Sequence, residues 1–201
     1  SVIYNGWHHD YSWLSYPMVN LSTKTMMAAF WVLRPIHWIK NLSLFAALIF
    51  TSNLFNTLLF DQILLAFISF CFITSATYII NDLFDAKLDK LHPTKKGRPI
   101  ASGNLPIQIA VVETVFLVFL ALLFASSLQP IFSYIIWGYL ILQILYSLGL
   151  KNIPILDILI IATGFILRVY AGALVINAHL SVWFLLCVVS VALFLASGKR
   201  R

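Results

Sequence analysis

Residues 111–128 read VVETVFLVFLALLFASSL, a run with one charged side chain, Glu113, and no polar face. A strand of a transmembrane barrel alternates apolar and polar residues over about 10 positions. This run does not alternate and is longer, so it reads as a helix, which satisfies its own backbone hydrogen bonds where lipid offers none. A spanning helix needs about 20 mostly apolar residues. Working outward from 111–128, such runs fall at 38–58, 62–81, 107–128, 131–148, 155–176 and 181–197. The whole chain of 201 residues is 61% hydrophobic and 10% charged, more apolar surface than a soluble domain of this length can cover. The fold class expected is all-α, a polytopic membrane helical bundle with six transmembrane helices in the sequence.

Lys and Arg collect at alternate ends of these runs: Arg34 and Lys40, Lys87 to Arg98, Lys151, and Lys199 to Arg201. The connections near 54–61, 126–131 and 177–180 carry none. Because cytoplasmic loops retain basic residues, this pattern predicts an integral cell-membrane protein with its basic loops in the cytoplasm. The formal charge of +6 is then topology and membrane-surface attraction, and no nucleic-acid partner is expected. Cys71 and Cys187 fall inside spans, where a thiol behaves as a small apolar group. The sequons at Asn20 and Asn41 lie on the wrong side for glycosylation under this topology. The chain opens without Met and closes on LFLASGKRR, a helix end running into a loop, so a fragment of a longer protein is expected.

Against this apolar background stands INDLFDAKLDKLHPTKKGRPIASG, residues 80–103. Of seven acidic residues in the chain, Asp82, Asp85 and Asp89 fall within eight positions. On a helix they occupy an arc of about 60° over a rise of roughly 10 Å, with Asn81 one turn before Asp85. Carboxylates that close repel one another and need a neutralising cation. Oxygen donors suit Mg²⁺, which takes one or two carboxylates and fills its other positions with water and phosphate oxygens. Lys95, Lys96 and Arg98 follow, and basic side chains contact phosphate directly. A solvated juxtamembrane turn is the plainer account of such a pattern. It explains poorly why acids begin at the membrane boundary itself, where uncompensated carboxylates are disfavoured.

The string Asn81-Asp82-x-x-Asp85-x-x-x-Asp89, with Arg98-Pro99-Ile100 and Gly103, resembles the first aspartate-rich motif of the UbiA superfamily of intramembrane prenyltransferases. Within it, RPIHWIKN (34–41), HPTKKGRPIASG (92–103) and YSLGLKNIPILDILIIATGFILRVYAGAL (146–174) look most like the decaprenyl-phosphate phosphoribosyltransferase branch. The resemblance implies a nine-helix bundle of which six helices are present, and an N-terminal cytoplasmic or interfacial segment over 1–33 ahead of a transferase domain over 34–201. It implies transfer of 5-phosphoribosyl from phosphoribosyl diphosphate to a polyprenyl phosphate, with diphosphate released. Asp82, Asp85 and Asp89, with Asn81, would hold Mg²⁺ and the diphosphate.

Arg34, Lys40 and Lys151 are further phosphate contacts under this reading, although each also fits a snorkelling or turn charge. Asp157 would face the same cavity. Arg168 lies 11 residues beyond Asp157, about 16 Å deeper on a continuous helix. An arginine at that depth either grips phosphate or makes a buried structural pair. No histidine has metal-ligand spacing. Two alternatives remain open: a prenyltransferase joining a polyprenyl diphosphate to an aromatic acceptor, and a small transporter using Asp157 and Arg168 on an ion path.

Overall fold

The computed structural model describes residues 23–198. Residues 1–22, which make up most of the expected N-terminal segment, and the basic cluster 199–201 lie outside the described residues. The described residues contain helices and turns and no strand. Their order is α1 (Thr23–Val32), a 3₁₀ segment (Pro35–Phe45), α2 (Ala46–Phe50), α3 (Thr57–Leu91), α4 (Ile107–Ser126), α5 (Pro130–Leu148), α6 (Pro154–Val175) and α7 (Val182–Gly198). Four of these, α3 to α6, are long and apolar enough to cross a membrane, and α7 is an apolar helix of 17 residues. The chain is an integral, multi-pass membrane protein.

Local chemistry sets the helix starts. Asn56 caps α3 by accepting a hydrogen bond from Leu59 N at 3.3 Å. Pro130 and Pro154 occupy the first turns of α5 and α6, where a missing N–H costs nothing. Gly103 supplies φ 81° in the turn before α4, a backbone angle that side chains disfavour.

The helix α3 is the spine. Its 35 residues extend about 52 Å, well beyond a hydrocarbon core of about 30 Å. Its first two-thirds are apolar, and its last third carries Asp82, Asp85 and Asp89. Around it pack α4, α5 and the 3₁₀ segment. Toward the far end, Leu44, Leu48, Ile63, Phe70, Phe132 and Ile136 form a core with no exposed surface. Nearer the acidic end, Ala28 and Val32 of α1 close over Ala76, Ile79 and Ile100. Small residues make the helix contacts close: Ala121 and Ala125 in α4, Ala192 and Ala196 against Ala162 in α6. The outward faces, such as Val112, Phe116 and Phe119 of α4, are bare apolar surface suited to lipid.

The first expected span, 38–58, is not one continuous α-helix. It is an 11-residue 3₁₀ segment followed by the 5-residue α2 and a turn. Irregular backbone at membrane depth persists only where protein covers it, and here α6 and α3 do so. Asn41 and Leu44 are fully buried. At Gly172 of α6 the Leu44 carbonyl occupies the place a Cβ would take, so hydropathy alone counted as one spanning helix a segment whose inner face packs tightly on α6 while Ile36, Ile39 and Leu42 stay exposed.

Candidate functional site

The extended end of α3 brings acids from one rigid helix against cations from three separate loops. Arg34, in the turn after α1, donates from one Nη to both oxygens of Asp82 at 2.7 Å. Arg98, after the short 3₁₀ turn Lys95–Gly97, donates from the other end of the cluster: one Nη reaches Asp82 Oδ1 at 3.0 Å and Asp89 Oδ2 at 2.6 Å. Lys151, in the turn between α5 and α6, donates to Asp85 Oδ1 at 2.5 Å and to Asn81 Oδ1 at 3.2 Å. Asn81 Nδ2 in turn donates to Asp85 Oδ2 at 3.2 Å. Three carboxylates therefore meet three cations. The acids Asp82 and Asp89 are buried, at 2% and 3% side-chain exposure, whereas the arginines and Lys151 are 22–24% exposed.

Arg34 is held in an uncommon conformation. Its backbone is left-handed at φ 53°, ψ 59°, which costs a residue with a Cβ about 1 kcal/mol. The His37 N–H bonds its carbonyl at 2.9 Å, and its guanidinium lies 5.0 Å over the Tyr78 ring. Such strain persists where the surroundings over-determine it, commonly at working sites.

The structure thus assembles Asn81, Asp82, Asp85, Asp89, Arg34, Arg98 and Lys151 at one end of the bundle. Asp82 and Asp89 share Arg98, while Asp85 turns to Lys151. Among the described residues, no group of three or more His, Cys, Asp or Glu side chains is placed to hold a metal ion. Lys95 and Lys96 are exposed and make no ion pair among the described residues. Lys40 is exposed on the 3₁₀ segment. Asp157 accepts a hydrogen bond from the Tyr146 hydroxyl at 2.9 Å.

Arg168 departs from the expected phosphate contact. Its Nε donates to Asn41 Oδ1 at 2.7 Å, one Nη to the Gly164 carbonyl at 2.5 Å and the other to the Tyr139 hydroxyl at 2.8 Å. Its charge lies 5.0 Å over the Tyr139 ring. Every nitrogen has a neutral partner, at 7% residue exposure. The residue locks α5 and α6 to the 3₁₀ segment instead of presenting a free fork. From the sequence, Tyr78 and Tyr146 are candidates to line a pocket and receive no site role, Asn41 stands out only as a sequon, and Tyr139 does not stand out. Their only other signal is a polar side chain within an apolar run, which aromatic-rich membrane chains show often.

The class these features define is an all-α membrane bundle whose longest helix ends in an aspartate cluster neutralised from neighbouring loops. A model of the UbiA prenyltransferase family matches residues 41–198. The chain belongs to the UbiA prenyltransferase family. It is 40% identical over 172 residues to a decaprenyl-phosphate phosphoribosyltransferase of Corynebacterium glutamicum, covering 84% of this chain and 52% of that protein. A protein of the same name from Mycobacterium tuberculosis is 33% identical over 174 residues, covering 84% of this chain and 57% of its own length. The chain spans about half the length of the curated relatives it matches. The fold is that of a UbiA homologue from Archaeoglobus fulgidus bound to DMAPP and Mg²⁺, with TM-score 0.68 at 21% identity over 81% of this chain and 59% of that one.

Proposed function

We propose that the protein containing this chain transfers a 5-phosphoribosyl group from phosphoribosyl diphosphate to a polyprenyl phosphate, releasing diphosphate. The observation that carries the reading is the convergence of the α3 carboxylates with Arg34, Arg98 and Lys151 at one membrane-boundary site. The 40% identity to a named decaprenyl-phosphate phosphoribosyltransferase selects the donor and acceptor.

The donor set fits Mg²⁺. All the candidate ligands, Asp82, Asp85, Asp89 and the Asn81 carbonyl, are hard oxygens, and Mg²⁺ uses one or two carboxylates with substrate phosphate in preference to an all-protein cage. Bound there, the ion supplies charge stabilisation for the departing diphosphate. The chain's own cations perform the remaining electrostatic work. Arg34 and Arg98 present planar donors to phosphate oxygens, and Lys151 presents a point charge opposite them. In the reaction, an oxygen of the lipid phosphate attacks the anomeric carbon. The carbon–oxygen bond to diphosphate breaks, and the electron pair leaves with diphosphate. The attacking oxygen is already anionic near neutral pH, so no general base and no covalent enzyme intermediate are needed. The active site faces the cytoplasm in this reading, because Arg34, Lys87 to Arg98 and Lys151 gather at that end.

The test incubates the detergent-solubilised protein with labelled phosphoribosyl diphosphate and polyprenyl phosphate, with and without Mg²⁺. Mg²⁺-dependent label in the lipid fraction is expected. Transfer at the parental rate after Asp82→Ala and Asp85→Ala rejects the site. Family membership favours one second reading, a prenyltransferase that joins a polyprenyl diphosphate to an aromatic acceptor. The same preparation supplied with those substrates decides between them. The transport alternative gains no support, since Asp157 bonds Tyr146 while Arg168 bonds a separate set of partners.

A further inference from the structure

The ion pairs that neutralise the aspartates pose a question about order of binding. Asp82 and Asp89 are occupied by a single Arg98 nitrogen, Asp82 also by Arg34, and Asp85 by Lys151. The acids sit on a continuous helix, whereas every cation comes from a turn or loop and is about a quarter exposed. The acids are fixed and their partners can swing. A divalent ion approaching this site meets carboxylates whose charge is already balanced, so it must displace side chains that would then stand unpaired. A diphosphate approaching alone meets cations already spent on carboxylates. When both arrive together, the acids pass to the ion and the cations to the phosphates, and no charge is left uncompensated.

We infer that Arg98 and Lys151 act as exchangeable counter-ions, making divalent-ion binding at the aspartates conditional on a diphosphate. Arg98 is the principal one, because its Nη bridges carboxylates seven residues apart. This inference rests on the proposed diphosphate site and concerns its binding order, not its turnover. By reciprocity, the diphosphate binds tighter with the ion present by the same factor that the ion gains from the diphosphate.

The test measures Mn²⁺ binding by electron paramagnetic resonance on the detergent-solubilised protein, using Mn²⁺ alone and Mn²⁺ with inorganic diphosphate at matched free Mn²⁺. In the parent, diphosphate tightens Mn²⁺ binding by about tenfold or more. In Arg98→Gln, Mn²⁺ alone binds about tenfold tighter than to the parent, and diphosphate adds much less. A merely structural role for Arg98 would move Mn²⁺ affinity the other way. Lys151→Met frees only Asp85 and gives a smaller gain, and Arg98→Lys an intermediate one. The inference is overturned if diphosphate does not tighten Mn²⁺ binding in the parent, or if Mn²⁺ alone binds no better to whichever of these variants elutes and melts like the parent. Uncoupled Mn²⁺ binding in an enzyme that still transfers phosphoribosyl removes this inference alone. Coupled binding without phosphoribosyl transfer removes the substrate assignment and leaves the exchange intact.

Discussion

Arg168 and Asp82 are both charged residues that an apolar chain tolerates, for opposite reasons. Arg168 keeps its charge among neutral oxygens from Asn41, Gly164 and Tyr139. Hydrogen bonds to charged groups are worth about 1.5–3 kcal/mol each, and a lysine has one nitrogen where these acceptors diverge. Arg168→Lys is therefore expected to lose about 2–4 kcal/mol, nearly as much as Arg168→Ala, seen as a lowered thermal midpoint in detergent. Asp82, in contrast, is anchored by two arginines from distant loops. Asp82→Asn keeps the shape and removes the charge that holds both, so transfer is expected to fall at least about 100-fold with the fold retained, by the label assay and size-exclusion profile. The aspartates were legible in the sequence because their spacing of three and four marks one helix face. Arg34 and Lys151 were legible as basic residues near a membrane boundary, but not as their partners, because 48 and 66 residues separate them from Asp82 and Asp85. The partners of Arg168 were not legible, because depth alone does not say whether a guanidinium's acceptors are neutral or anionic.

The segment over 35–50 shows what hydropathy can and cannot see at the level of elements. Period and composition identified α3 to α6 because each is a single apolar run of spanning length. They could not separate a spanning α-helix from a 3₁₀ stretch packed on its neighbours through Asn41 and Leu44, since both are apolar. The difference lies in tertiary contact, above all the approach of Leu44 to Gly172. A Cβ at residue 172 would collide with the Leu44 carbonyl, which is backbone and has little room to yield. Gly172→Ala is thus expected to destabilise by about 2 kcal/mol or more, despite the better helix propensity of Ala. Gly138 in α5 has nothing near its Cβ position. Gly138→Ala should leave the thermal midpoint unchanged or slightly higher, and the pair of melts separates close packing from propensity.

At the scale of the whole molecule, the site's position follows from one mismatch in length. Helix α3 is longer than a hydrocarbon core of about 30 Å, and its acidic end meets the Arg98 loop and the α5–α6 turn that carries Lys151. The opposite turns, after α2, α4 and α6, carry no Lys or Arg. If basic loops are retained in the cytoplasm here as they commonly are, the aspartate end is expected to face inward. Single cysteines test this directly. Cys71 is buried, but Cys187 is exposed and would give background, so the variants are built on Cys187→Ser. Lys95 lies in the exposed loop after α3, and Ser127 is exposed in the turn between α4 and α5. In intact cells a membrane-impermeant maleimide is expected to label Ser127→Cys and to label Lys95→Cys only after permeabilisation. The converse pattern would put the aspartates and their cations on the outer face. A diphosphate-bearing donor made in the cytoplasm could not reach them there, and the proposed reaction would need a different donor.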